Sequence, residues 1–233
     1  SIIGETLNWR TIYAGLAIGS GLAAAGVIFT LPAKLYPARM SLKSWGEVVT
    51  RPAILLLLAV TCIQITGQFT LYPYLAAELR TTSLADSTAV AVAFGLYGGA
   101  GLLGSIVAAR FVGSIGAPRT QLICLLIMSA GLAGWSVFAT SLVPAIASVF
   151  VWGLGFGAAI SMQQARLITV APALASASVA LNTSVLYLGQ ASGTAIGAGL
   201  ITRDLHHLIG PAGLAFMLMA ATASWWTSRK FKA

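Results

Sequence analysis

The chain has 233 residues, 58% of them hydrophobic and only 8% charged, and its mean hydropathy is +0.91. A soluble domain carries roughly 25% charged residues, so the composition excludes a water-soluble globule and predicts an integral membrane protein. The 13 lysines and arginines against 5 acids give a formal charge of +8. These cations lie singly or in small groups between apolar runs, not gathered on one face as a nucleic-acid surface requires, and no nucleic-acid partner is expected.

The apolar runs are long and do not alternate, so they predict helices of about 20 residues rather than barrel strands. Seven spans follow in order: Thr11–Leu31, Pro52–Ala77, Thr88–Ala109, Gln121–Ala139, Leu142–Gln164, Ser176–Ile201 and Leu208–Thr227. The longest connection, Pro32 to Arg51, holds Pro32, Pro37 and four cations and is followed directly by Pro52, and Met40–Val49 within it suits a short interfacial helix. Counted loop by loop, alternate connections sum to +3, +2, +1 and +3 on one side and to 0, −1, 0 and 0 on the other. The side rich in lysine and arginine is expected to be cytoplasmic, with the N-terminus outside and the C-terminus inside. A chain that starts outside, at Ser1 and without a targeting segment, reads as the continuation of something longer.

Within the spans the polar residues are few and therefore informative. Gln64 and Gln68 are one turn apart and share a face of the second span; Gln163 ends the fifth; Asn182 and Gln190 are eight apart in the sixth and are expected roughly to share a face. With Tyr72 near the outer end of the second span, these six residues are the expected lining of a polar cavity for a small-molecule substrate. Tyr72 and Tyr74 flank Pro73, where an interfacial belt and a kinked outer gate are both consistent with the sequence.

Glycine, 25 in all, is concentrated in the spans. Gly95, Gly99 and Gly104 in the third and Gly189, Gly193 and Gly197 in the sixth recur at intervals that let helix backbones approach closely, for packing or for gating. Cys62 and Cys124 lie inside apolar runs and offer no disulfide framework. Glu78 and Asp86 are expected in one outer loop and His206 and His207 at the outer rim, while Arg110 and Arg166 are expected to reach the headgroups from cytoplasmic helix ends. No Asp, Glu, Lys or His falls in mid-span, so the ligands of a zinc hydrolase, the base of a serine protease and a glycine-rich nucleotide loop are all missing. No catalytic residue, metal or cofactor is expected.

In order, loop charge and linker, the chain resembles the later portion of the major facilitator superfamily. "GETLNWRTIYAGLAIGSGLAAAGVIFTLP" is similar to that family's fifth-to-sixth loop and sixth helix, with Trp9-Arg10 opening the helix. The basic connection Pro32–Arg51 is similar to the cytoplasmic linker between the two six-helix halves. "GSIVAARFVGSIGAPRTQ" resembles the second copy of the cytoplasmic loop motif through Gly104, Arg110, Gly116 and Arg119, although Ala109 stands where an acidic residue often precedes the arginine. "ALNTSVLYLGQASGTAIGAGLI" resembles the eleventh helix of drug-efflux members.

The resemblance implies an all-α polytopic fold with residues 1–31 as an external segment and the last helix of the N-terminal half, 32–51 as the inter-half linker and 52–233 as a six-helix C-terminal bundle. It also implies a transporter of bacterial efflux type, set in the lipid of the cytoplasmic (inner) membrane, proton-coupled, working by alternating access. Its partner is then a missing N-terminal half, and any proton-binding acid is expected there. The competing readings are a self-contained seven-helix receptor and a structural membrane subunit; against the first, the last span has no lysine for a retinal Schiff base.

Overall fold

The computed structural model describes residues 9–30 and 42–231, and among these there is no strand. The helices are α1 (Trp9–Thr30), α2 (Leu42–Thr50), α3 (Pro52–Leu71), α4 (Leu75–Thr82), α5 (Ser87–Ile115), α6 (Ala117–Phe138), α7 (Leu142–Val170), α8 (Ala175–Ile201) and α9 (Ile209–Lys230). Six helices are long and apolar enough to cross a membrane, α3 and α4 counting as one run of 31 residues. The expected sixth span corresponds to α8, which has the length, at 27 residues, but carries Asn182, Gln190 and a series of serines and threonines. The short helix expected at Met40–Val49 is seen as Leu42–Thr50, its Val48 buried against Ile54; Met40 lies outside the described residues.

The helix ends have local causes. Pro52 occupies the first turn of α3, where its missing N–H costs nothing. Asp86 caps α5 by accepting a hydrogen bond from the Ala89 amide at 2.7 Å. Gly116, with φ +79°, turns the chain between α5 and α6, a conformation that favours glycine. Several helices outrun the apolar windows that define them in sequence, because nothing stops them at the edge of hydrophobicity: α5 continues through Arg110 to Ile115, and α7 through Arg166 to Val170.

One expectation is corrected here. Glu78 does not lie in an outer loop. The chain makes a single 3-10 turn over Tyr72–Tyr74 and resumes as α4, so Glu78 is helical and buried, 2% exposed.

With α3 and α4 taken as one run, the six helices from α3 onward pack as an open arc in the order α8, α3, α9, α6, α7, α5, each chiefly against its neighbours, while α3 and α7 touch more lightly across the arc. This pattern has an internal symmetry. Replacing α3, α5 and α6 by α7, α8 and α9 turns the α3–α8 contact into α7–α5, and α3–α9 into α7–α6, and leaves α6–α9 unchanged. Because α3 and α7 start at opposite ends of the bundle, the two triplets are inverted copies, the architecture of three-plus-three repeats in secondary transporters. Along α1, side chains such as Leu22, Ile28 and Phe29 are exposed.

Candidate functional site

Three polar residues of α3, Thr61, Gln64 and Gln68, lie on one stripe, with Thr66 and Thr70 on the opposite side of the helix. Leu57, Thr61, Gln64 and Gln68 succeed one another at intervals of three or four, which holds them within a narrow sector of the helix. This stripe meets three other helices. The Leu57 carbonyl accepts a hydrogen bond from Gln163 Nε2 on α7. Thr61 donates to Asn182 Oδ1 on α8 at 2.6 Å. Gln68 Nε2 donates to the Tyr97 hydroxyl on α5 at 3.0 Å.

Buried amides normally find a partner for every polar atom. Here Gln64 Nε2, Gln68 Oε1 and Gln163 Oε1 are buried and have none among the described residues, and neither does Trp152 Nε1. Two of the four side chains already spend one end on a neighbouring helix and leave the other end open. That arrangement can hold a ligand or water in a dry surrounding, where each unmet polar atom costs several kcal/mol, of order 2 to 7.

Beside Gln68 the stripe runs into aromatic rings. Tyr72 lies 5.1 Å from Tyr97, 5.8 Å from Phe94 and 6.0 Å from Trp152, centroid to centroid, and Tyr97 is 5.2 Å from Trp152. Edge-on and tilted packing of this kind presents ring faces to a guest. Pockets for small organic molecules run from roughly 300 to 1,000 Å³, and the one beside these rings, walled by Tyr72, Phe94, Tyr97, Ser105 and Phe156 with Gly98, Gly101 and Gly157, has a volume of about 420 Å³.

Of the six expected lining residues, Gln64, Gln68, Gln163 and Asn182 are buried and Tyr72 is half-buried, all on or against the α3 stripe. Gln190 does not join them. Eight residues turn a helix about 80° past two full turns, so Gln190 sits on the flank of α8, partly exposed, while Asn182 shares its face with Gly189, Gly193 and Gly197. The residues missed in sequence are Thr61, Tyr97 and Trp152. A threonine and two aromatics in apolar runs carry no signal until the helices that present them are neighbours.

The glycines divide in the same way. A Cβ on Gly193 or Gly197 collides with the carbonyl of Thr66 or Thr70 on α3, one on Gly189 comes to 2.8 Å of the Cys62 carbonyl, and one on Gly104 collides with Leu154 on α7. At Gly95 and Gly99 a Cβ meets nothing within 4 Å.

At the end that carries the basic connections, Arg166 is 3% exposed and does not reach outward as expected. It donates to Gln121 Oε1 at 2.5 Å, Ser224 Oγ at 2.9 Å, Thr227 Oγ1 at 2.9 Å and Ser228 Oγ at 3.2 Å, tying α7 to α6 and α9. Four oxygens set by two helices draw the guanidinium inward, an outcome that a lone arginine near a helix end does not announce. Arg110 is exposed, on the penultimate turns of α5.

An arc of inverted helix triplets enclosing buried, half-satisfied amides is the construction of a membrane transporter. The chain matches the Major Facilitator Superfamily over residues 1–194 and belongs to that family. It is 29% identical over 231 residues to the inner membrane transport protein YdhP of Escherichia coli strain K12, a match that takes in 95% of this chain and 58% of that protein; YdhP of Escherichia coli O157:H7 matches to the same extent. The chain thus spans 58% of the length of these curated relatives.

Proposed function

We propose that the chain is helices six to twelve of a secondary transporter that exports small molecules from the cytoplasm of a bacterium across its inner membrane, by alternating access and at the expense of a proton gradient. On this reading residues 1–31 close the N-terminal half, 32–51 link the halves and 52–233 form the C-terminal bundle. The observation that carries it is the set of unmet polar atoms on Gln64, Gln68, Gln163 and Trp152, of which Gln68 and Trp152 adjoin the tyrosines that wall the aromatic cavity. The relatives' names support transport and an inner-membrane setting.

The substrate class follows from the wall chemistry. No charged side chain lines the 420 Å³ cavity; rings and a serine do. An uncharged amphipathic molecule with one flat apolar face and a few hydrogen-bonding groups suits these walls best, a description that covers nucleosides, substituted sugars and many drugs. Tyr74 donates to the Thr194 carbonyl at 2.8 Å and so joins the α3–α4 kink to α8. With Pro73 unable to donate a backbone N–H, this kink is the proposed outer gate.

Export by the full-length transporter in inverted membrane vesicles tests the reading. Alanine at Gln64, Gln68 and Asn182 together is expected to cut flux by about tenfold or more, since each amide in a dry site contributes on the order of 1 kcal/mol. Unchanged flux in the triple variant sinks the proposed cavity.

A further inference from the structure

At the end of the bundle opposite the basic connections, which is the outer end by the charge rule, a second cavity of 360 Å³ lies between α4, the end of α6 and the start of α9. It is separate from the aromatic cavity and shares no wall residue with it. Its polar wall is Glu78, Thr82, Ser136, Thr140, His206 and His207. Glu78 is 2% exposed, and its Oε1 lies 2.7 Å from Nδ1 of His206, whose side chain is 38% exposed. Among the described residues this is the only ion-pair contact.

A carboxyl group taken out of water is held by a proton or by a cation. Glu78 has no lysine or arginine; it has an imidazole, the side chain whose ordinary titration falls in the physiological range, at a distance typical of a charge-assisted hydrogen bond. We infer that Glu78 and His206 form a proton-binding site in the outer cavity, taking up a proton from the outer compartment. The step is a simple protonation. The neutral His206 imidazole donates its Nδ1–H to the ionised Glu78 Oε1, the incoming proton adds to Nε2, and a pair of net charge −1 becomes a net-neutral imidazolium–carboxylate pair.

The position gives that proton a mechanical consequence. Thr82 and Ser83 both donate to the Ala139 carbonyl, which fixes the end of α4 on the end of α6. The Glu78–His206 contact is the corresponding tie between α4 and the turn that enters α9. Protonation strengthens that tie and holds the outer end of α4 and α9 together.

The other charged groups nearby act elsewhere. Arg80 donates to Ser87 Oγ at 3.2 Å, Asp86 caps α5, and Arg203 donates to the Gly199 carbonyl at 3.2 Å; Asp204 is exposed on the same turn. His207 is the one further titratable group in the wall.

The effect on flux rests on the transport reading above; the protonation does not. Infrared difference spectra of the purified full-length transporter, labelled with ring-¹³C histidine and taken between about pH 7.5 and about pH 5.5, read the site directly. An imidazole-to-imidazolium band is expected in the wild type and in His207→Asn, absent in His206→Asn and altered in Glu78→Gln. A band that survives intact in His206→Asn, or that only His207→Asn removes, overturns the proposal. Because His206 is partly exposed, His206→Asn keeps the test open if Glu78→Gln fails to assemble.

In vesicles, flux is expected to change about threefold over the same span of outer pH in the wild type and His207→Asn, and to be flat in His206→Asn. A pH dependence that persists in His206→Asn counts against the site. A His206 band without flux in any variant counts against the transporter and leaves the proton site standing.

Discussion

Arg166 shows how a single side chain can bind three helices without a counter-ion. Its guanidinium meets Gln121, Ser224, Thr227 and Ser228, all neutral, and no carboxylate among the described residues lies within ion-pair distance. Interhelical hydrogen bonds in membranes average about 0.6 kcal/mol each, so truncating the arginine removes on the order of 2 kcal/mol and strands the acceptor oxygens. Arg166→Ala is expected to lower the thermal midpoint of the purified full-length protein by several degrees. Arg166→Lys should recover only part of this, because one ammonium cannot reproduce the planar fork; full rescue by lysine contradicts the geometry. Arg166 and Glu78 are the two residues that the sequence misplaces most, one toward the headgroups and the other into a loop. In both cases the polar partners come from helices 45 or more positions away, Gln121 and Ser224 for the arginine and His206 for the acid. Hydropathy windows carry no such information.

Helix contacts were more legible, though not glycine by glycine. The four-residue repeat Gly189–Gly193–Gly197 identifies the face of α8 that meets α3, because close backbone approach demands small residues at every turn of the contact. The same spacing at Gly95 and Gly99 corresponds to open space, since a repeat of small residues also suits a surface turned toward lipid or toward another part of the protein. Leucine substitutions separate the two cases. Gly193→Leu drives a side chain into the Thr66 carbonyl and Phe69 and is expected to abolish folded protein, read as loss of the monodisperse peak in detergent. Gly95→Leu is expected to leave that peak and its thermal midpoint within about a degree or two of wild type, as an unobstructed surface position should. If both substitutions are tolerated, the α3–α8 contact is wrong. Span limits in the sequence were set by the fall of hydropathy. Helix limits in the structure are set by proline, glycine and capping, which is why α5 runs past Arg110 to Gly116.

At the scale of the molecule, the inverted triplets place loops 83–86, 139–141 and 202–205 at one end and the Gly116 and Ala171 turns with the end of α9 at the other. The second group belongs to the basic connections counted in the sequence. Single cysteines replacing Arg110 or Arg229 are therefore expected to react with an impermeant maleimide only from the cytoplasm, and one replacing Asp204 only from outside. The reverse pattern overturns the orientation.

Energy coupling is the more demanding case. Among the described residues no acid or histidine lies on the α3 stripe or in the aromatic cavity; Glu78 and His206 sit at one end, opening to one compartment alone. A carrier that couples a proton to a substrate must expose the proton site to each side in turn, which requires two bundles rocking about a shared site. One arc supplies half of that enclosure. Residues 1–233 reconstituted alone in proteoliposomes under an imposed pH gradient are thus expected to give no coupled flux of nucleoside, sugar or drug-like probes, even where infrared spectra show His206 taking up a proton. On the proposed reading of the chain as helices six to twelve, co-expression with an N-terminal half is expected to restore flux. Robust coupled transport by the 233 residues alone would place a complete proton pathway inside this bundle and contradict the one-ended site inferred for Glu78 and His206.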